Sequence, residues 1–218
     1  MSKMPDKTTI NPPLDGGRSA PFQHKLVLAS SSIYRKELLA RLGMPFVAES
    51  PDISEASLPG ETPSATALRL SEAKARSVAA RHPGALIIGS DQVADCEGVL
   101  IGKPVSHEDA VAQLTLLSGR NVIFHTGIAL LDTDRNWCQA DLVSVTSVFR
   151  DLSAAEIETY LQREQPYGCA GSVKVEGLGI ALFTRIASDD PTALVGLPLI
   201  RLTDMLRAAG VAVLTPVH

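Results

Sequence analysis

Two long apolar stretches, NVIFHTGIALLD (121–132) and NWCQADLVSVTSVFRDL (136–152), lie on either side of a polar turn at Thr133–Arg135. That spacing constrains the fold more than any other feature of the chain. A parallel strand pair needs a crossover of about a dozen residues, whereas so short a turn joins antiparallel neighbours. A purely parallel βαβ architecture is therefore excluded. Elsewhere strands and helices alternate. Leu26, Val27 and Leu28 read as a buried strand, and IYRKELLARLG behind them as a helix with a Gly stop. PFVAE is a short strand, followed by a loop from Ser50 to Thr62. Thr62 caps a helix with Pro63 in its first turn, where the missing N–H costs nothing. ALIIGSD is a second buried strand that runs into a hairpin turning at Glu97–Gly98. Ser106 with Asp109, and Ser153 with Glu156, form capping boxes for two further helices. CAGSVKVEGLGIALFTRI reads as a Gly-rich strand pair, and PLIRLTDMLRAAG as a final helix before a short terminal strand. The expected fold is α/β, a mixed twisted sheet flanked by helices.

Composition narrows the class. Of 218 residues 45% are apolar, enough for one or two compact lobes. Residues 1–24, rich in Pro, Gly and small polar residues, read as a flexible N-terminal tail without the apolar core of a signal peptide, leaving 25–218 as the folded unit. A formal charge of −4 argues against nonspecific nucleic-acid binding, and no apolar run approaches the roughly 18 residues of a membrane span. Cys96, Cys138 and Cys169 are odd in number and far apart, which suits reduced thiols in the cytoplasm rather than a disulfide frame.

Candidate chemistry gathers where strands meet loops. KLVLASSSIYR (25–35) ends an apolar strand in Ser30, Ser31 and Ser32, then starts a helix bearing Arg35. A helix start offers free N–H groups and partial positive charge to anions, and Arg35 adds a planar donor fork suited to phosphate. Asp91 follows LIIGS at the carboxyl edge of a buried strand; Glu55 lies in the loop after the second strand; Lys74 is mid-helix in SEAKARS; Lys103 is directed by Gly102 and Pro104. Each has an ordinary reading as well: a turn-capping Asp, a solvated loop Glu, a solvent-facing Lys. Together, two acids and several bases around a strand–helix phosphate site resemble a metal-assisted phosphoryl-transfer centre using Mg²⁺ or Mn²⁺. A P-loop, a G-x-G-x-x-G dinucleotide loop and a G-x-S-x-G elbow are all missing from the sequence. His125, within a strand, reads as a satisfied core histidine.

ASSSIYRK (29–36), the acid loop around Glu55, SEAKA (71–75), GSDQV (89–93), IGKP (101–104) and CAGSVKVEGLG (169–179) resemble the Maf family of nucleotide pyrophosphatases, in order and over about residues 25–214. The resemblance implies an inosine-triphosphatase-like fold with a cleft between two lobes, usually a homodimer. It implies cleavage of a nucleoside triphosphate between its α and β phosphates with a divalent metal. Asp91 then matches the proton acceptor and a metal ligand, and Glu55 an acid supporting the metal. Ser54 stands where a second acid is often found. Ser30, Ser32 and Arg35 match the phosphate-binding loop, and Lys74 and Lys103 match bases facing the triphosphate.

Three positions point to a branch. The branch acting on dTTP and UTP typically has Arg, Thr and Gln where this chain has Tyr34, Gln92 and Glu176. An aromatic, an amide and a carboxylate resemble instead the branch acting on 7-methyl-GTP. Methylation at N7 makes guanine cationic, which favours stacking on an electron-rich ring, and Glu176 suits the N1 and exocyclic amino protons. A dTTP/UTP pyrophosphatase, or a nucleotide-binding regulator of septum formation with little turnover, are the alternatives.

Overall fold

The computed structural model describes residues 25–214, so the tail expected over 1–24 lies outside the described residues. Among the described residues seven strands make one mixed sheet: β1 (Lys25–Ala29), β2 (Phe46–Glu49), β3 (Ala85–Cys96), β4 (Val99–Ile101), β5 (Asn121–Asp132), β6 (Trp137–Phe149) and β7 (Phe183–Ala187). Their order is β2-β1-β3-β5-β6-β7, with β4 also on β3. β1 runs parallel to β2 and β3, and every other pairing is antiparallel. The short polar turn closes the β5–β6 hairpin, placing Asp132 opposite Trp137.

Five α-helices accompany the sheet among the described residues: α1 (Ile33–Ala40), α2 (Pro63–Ala79), α3 (His107–Leu117), α4 (Ala154–Glu164) and α5 (Leu199–Ala208). Ser32, Thr62, Ser106 and Ser153 cap the first four, each accepting a backbone N–H three residues on. Ser153 and Glu156 complete a reciprocal box. At Ser106 only half of one forms, because Asp109 accepts from Val105 N instead.

Alternation along the strands sends side chains to opposite faces. Leu26, Leu28, Leu86 and Ile88 pack with α1 and α5, while Val27, Ile87 and Ala129 pack beneath α2. A separate core gathers Leu114, Leu117, Phe124, Phe149 and Leu161 around α3 and α4. Between these bodies runs a cleft, whose origin lies in β3. β5 takes one edge of β3 from Leu86 to Asp95. The other edge is shared: β1 pairs with Ala85–Gly89 and β4 with Ala94–Cys96. Residues 90–93 lie in the gap between them.

Contact between α2 and the sheet is unusually close. A Cβ at Gly89 would overlap Ser71 O, and one at Gly127 would overlap Ala67 O. Two glycines on neighbouring strands thus let the α2 backbone rest on the sheet.

Three local expectations are corrected. Asp91 is not at a strand end; β3 continues to Cys96, and what ends beside it is the pairing with β1. The expected Gly-rich strand pair is instead two 3-10 turns, Ala170–Ser172 and Leu178–Leu182, followed by the single strand β7. Left-handed backbone at Gly171 (φ 64°) and Ser172 (φ 58°) breaks any extended run there. No terminal strand forms in the described part of the C-terminus, through Leu214.

Candidate active site

The first wall of the cleft is the β1–α1 junction. Ser30 Oγ accepts from Ser32 N at 3.1 Å, and Ser32 Oγ accepts from Arg35 N at 3.4 Å. Arg35 Nε donates to Gly196 O at 2.8 Å, an oxygen that also accepts from the fully buried Ser90 Oγ at 2.9 Å. With Nε anchored, the two terminal amino groups of the guanidinium keep their donors for a ligand. Burial lowers the Arg35 pKa while Asp91 and Glu55 oppose it; a guanidinium stays charged regardless.

Opposite lies the acid–base cluster on the α2 face of β3. Lys74 and Asp91 are only 3% and 6% exposed. Lys74 Nζ donates to Asp91 Oδ1 at 2.5 Å and meets Glu55 Oε1 at 2.6 Å, so one ammonium bridges both carboxylates. Lys103, from the segment after β4, stands 3.5 Å from Glu55 Oε2. Partial burial would raise the Glu55 pKa, but the hydrogen bond and charge of Lys74, aided by Lys103, carry it below the usual range. The loop bearing Glu55 is tied to α2 by a fork: Arg69 Nε and Nη2 meet Glu61 at 2.6 and 2.7 Å, and Nη2 also donates to Ala56 O at 3.1 Å. Hydrogen bonds from Arg69, then from Leu58 N, pull the Glu61 pKa down to about 2.

The third wall is on the other face of β3. Gln92 Nε2 directs its two protons at three oxygens, Ala193 O at 2.8 Å, Leu194 O at 3.0 Å and Thr126 Oγ1 at 3.0 Å. Its amino group is thereby spent on a strap at 193–196, leaving the amide oxygen as its remaining polar atom. Tyr34 on α1 lines the same cavity as Cys169 and Glu176. Burial and Glu176 push the Cys169 thiol up to about 11, and burial likewise raises the Tyr34 phenol. Solvent reaches Glu176, yet the surrounding wall removes enough water to raise its pKa, with Glu164 and Glu37 adding repulsion and Lys174 opposing.

Ser30, Ser32, Tyr34, Arg35, Glu55, Lys74, Asp91, Gln92, Lys103 and Glu176 all line one cavity of about 420 Å³. Residues from both faces of β3 reach it because it opens at an edge of that strand. Lys74 is buried rather than solvent-facing, and Glu55 is ion-paired rather than freely solvated. Ser54 is not among the lining residues; its hydroxyl accepts from Ala56 N within the loop. Sequence reasoning passed over Ser90, Thr126 and Gly196, which fix the strap and Arg35. The one available signal was DDPTALVGLP (189–198), whose acids, prolines and glycine mark a compact turn. His125, read as a satisfied histidine, has its ring nitrogens near Ser144 Oγ (2.9 Å) and Asp95 Oδ2 (3.4 Å).

No group of three or more His, Cys, Asp or Glu close enough to hold a metal occurs among the described residues. Glu55 and Asp91, converging on one Nζ, are nonetheless hard oxygen donors around a cation position. They fit an ion that takes its remaining ligands from water and phosphate, as Mg²⁺ commonly does.

An α/β sheet with an acid–base cluster and a serine–arginine helix start in one cleft defines a nucleotide- or phosphate-handling protein. The family model described as Maf-like protein matches residues 25–209, and the chain belongs to the Maf family. It is 57% identical over 189 residues to the 7-methyl-GTP pyrophosphatase of Methylobacillus flagellatus, covering 87% of this chain and 98% of that one. Over 192 residues it is 57% identical to the 7-methyl-GTP pyrophosphatase of Cupriavidus metallidurans, covering 88% and 96%. A solved nucleoside-triphosphatase / dITP/XTP pyrophosphatase from Mycobacterium abscessus is similar at 17% identity and a TM-score of 0.38, covering 57% of this chain and 72% of that one.

Proposed function

We propose that this protein hydrolyses 7-methyl-GTP to 7-methyl-GMP and pyrophosphate. The observation that carries the reading is the convergence of Asp91, Glu55, Lys74, Arg35 and Lys103 with Tyr34, Gln92 and Glu176 on a single cavity. The names of relatives at 57% identity support the same reading.

The triphosphate lies against the α1 start, with Ser30 and Ser32 nearby and Arg35, Lys74 and Lys103 matching its charge. Asp91 accepts the proton of the attacking water, its carboxylate held in place by Lys74 at Oδ1. The water oxygen bonds the α-phosphorus as the bond to the α–β bridging oxygen breaks, and pyrophosphate leaves. Preorganised donors at Arg35 and Lys103 meet the charge that develops on it. Glu55 and Asp91 would hold Mg²⁺ or Mn²⁺, whose contribution when bound is to neutralise phosphate charge and orient its oxygens.

At the base end, Tyr34 stacks on the cationic ring, Glu176 accepts the N1 and exocyclic amino protons, and the Gln92 amide oxygen offers a further acceptor. The same reading makes the protein a cytoplasmic homodimer that binds no nucleic acid; no described helix is long and apolar enough to cross a membrane. The test is pyrophosphate release from 7-methyl-GTP, GTP, dTTP, UTP and CTP, with and without Mg²⁺ or Mn²⁺. Metal-dependent preference for 7-methyl-GTP is expected. Preference for dTTP or UTP, or binding without turnover, would overturn the reading.

A further inference from the structure

The loop that carries Glu176 is secured from behind by one face of α4. Tyr160 and Glu164 are four residues apart and so lie one above the other on that face. The Tyr160 hydroxyl donates to Ser172 O at 3.1 Å and accepts from Lys174 N at 3.0 Å. The Glu164 carboxylate, 12% exposed, accepts from Lys174 Nζ and from Leu178 N, both at 2.6 Å. These ties bracket Glu176 in the chain. Inside the bracket the backbone folds on itself, Lys174 O accepting from Gly177 N at 3.2 Å and Gly179 N at 3.1 Å.

Contact at the bracket is tight. A Cβ at Gly177 would stand 2.5 Å from Glu164 Oε2 and 2.6 Å from Oε1. The carboxylate occupies the space a side chain there would need. Moving it aside would break both of its bonds to the loop. Lys174 is ion-paired with Glu164 at 2.6 Å, so the ammonium nearest the loop is already engaged and makes no ion pair with Glu176.

We infer that Tyr160 and Glu164 are positioning residues that set the base preference of the cavity by fixing where the Glu176 carboxylate stands, leaving the phosphate chemistry untouched. The inference rests on the proposed function, since it assigns the loop to the base end of that substrate.

The experiment compares kcat/KM for 7-methyl-GTP and dTTP in the unaltered protein and in Glu164→Ala, Glu164→Gln, Gly177→Ala and the double Glu164→Ala/Gly177→Ala variant. Amide exchange at Leu178 and Gly179 is followed in parallel. Glu164→Ala is expected to lower kcat/KM for 7-methyl-GTP on the order of tenfold, chiefly through KM, with dTTP held within about twofold. Both amides should exchange faster. Glu164→Gln keeps an acceptor for Leu178 N and should recover part of the preference. Gly177→Ala should reduce the preference in the original background and add nothing once Glu164 is alanine, a coupling that signals direct contact. Equal losses on both substrates, or an unchanged preference despite faster exchange, overturn the inference alone. If the unaltered protein shows no preference for 7-methyl-GTP, the functional reading falls and takes the inference with it.

Discussion

On the α2 face of β3, Lys74 meets Asp91 at 2.5 Å and Glu55 at 2.6 Å, whereas Glu176, on the loop behind Tyr34, makes no ion pair among the described residues. Charge at the first end is balanced within the protein before any ligand arrives. Charge at the second has no ion pair, and loss of water raises the Glu176 pKa against the pull of its own backbone N–H and of Lys174. The contrast has a physical logic. Buried Asp91 without Lys74 would be an uncompensated charge, costly to hold. Glu176 borders solvent and tolerates isolation, keeping its acceptors free for a donor-bearing ligand. One end is therefore organised for reaction and the other for selection.

The largest expected effect lies at the balanced end. Asp91→Asn should lower turnover by roughly 10²–10⁴, the usual worth of a positioned base, with the native circular dichroism spectrum retained. A loss below about threefold would remove Asp91 from that role. Next, Lys74→Met leaves Asp91 buried without its ammonium, and the fold should lose about 3–5 kcal/mol in a denaturant titration. An unaltered midpoint would show that the pair does not balance charge in the way described. At the open end, Glu176→Gln combined with Tyr34→Arg should cost 7-methyl-GTP about 10–100-fold more than dTTP, the range of one or two charged hydrogen bonds. Equal losses would erase the division between the ends.

The smallest effect is on pH. The folded Glu176 pKa lies above its unfolded value, so the native carboxyl holds its proton more tightly. Its contribution to stability is then unfavourable once pH exceeds the unfolded pKa, and grows until pH passes the folded one. Glu176→Gln should accordingly leave neutral-pH stability equal or slightly higher, the opposite of Lys74→Met. Recognition follows the same titration: the kcat/KM ratio of 7-methyl-GTP to dTTP should fall on acidification, starting above the ordinary carboxylate range. A ratio flat across that range would detach Glu176 from base choice.

Legibility differed between the ends for reasons of local structure. β1, α1, α2 and β3 announce themselves through periodicity, serine and threonine caps and Pro63, so Ser30, Ser32, Arg35, Lys74 and Asp91 could be set on elements directly. Even there, the strand did not end at Asp91, because pairing partners change along β3 without any mark in its sequence. Around Glu176 periodicity misled. Its glycines suggested a strand pair, while the ties that shape the segment come from Tyr160 and Glu164, more than ten residues away. Long-range hydrogen bonds of that kind leave no local pattern. The same holds for Ser90 and Gly196, whose common link to Arg35 spans 161 positions of the chain.

Gly89 and Gly127 have no side chains to lend to any reaction, yet they decide how far Lys74 stands from the carboxylates it bridges. A single methyl group at either would press on a main-chain oxygen of α2, and the helix could yield only by carrying its lysine outward. Two silent positions, remote in kind from acid–base work, thus act as the spacers by which this centre is gauged.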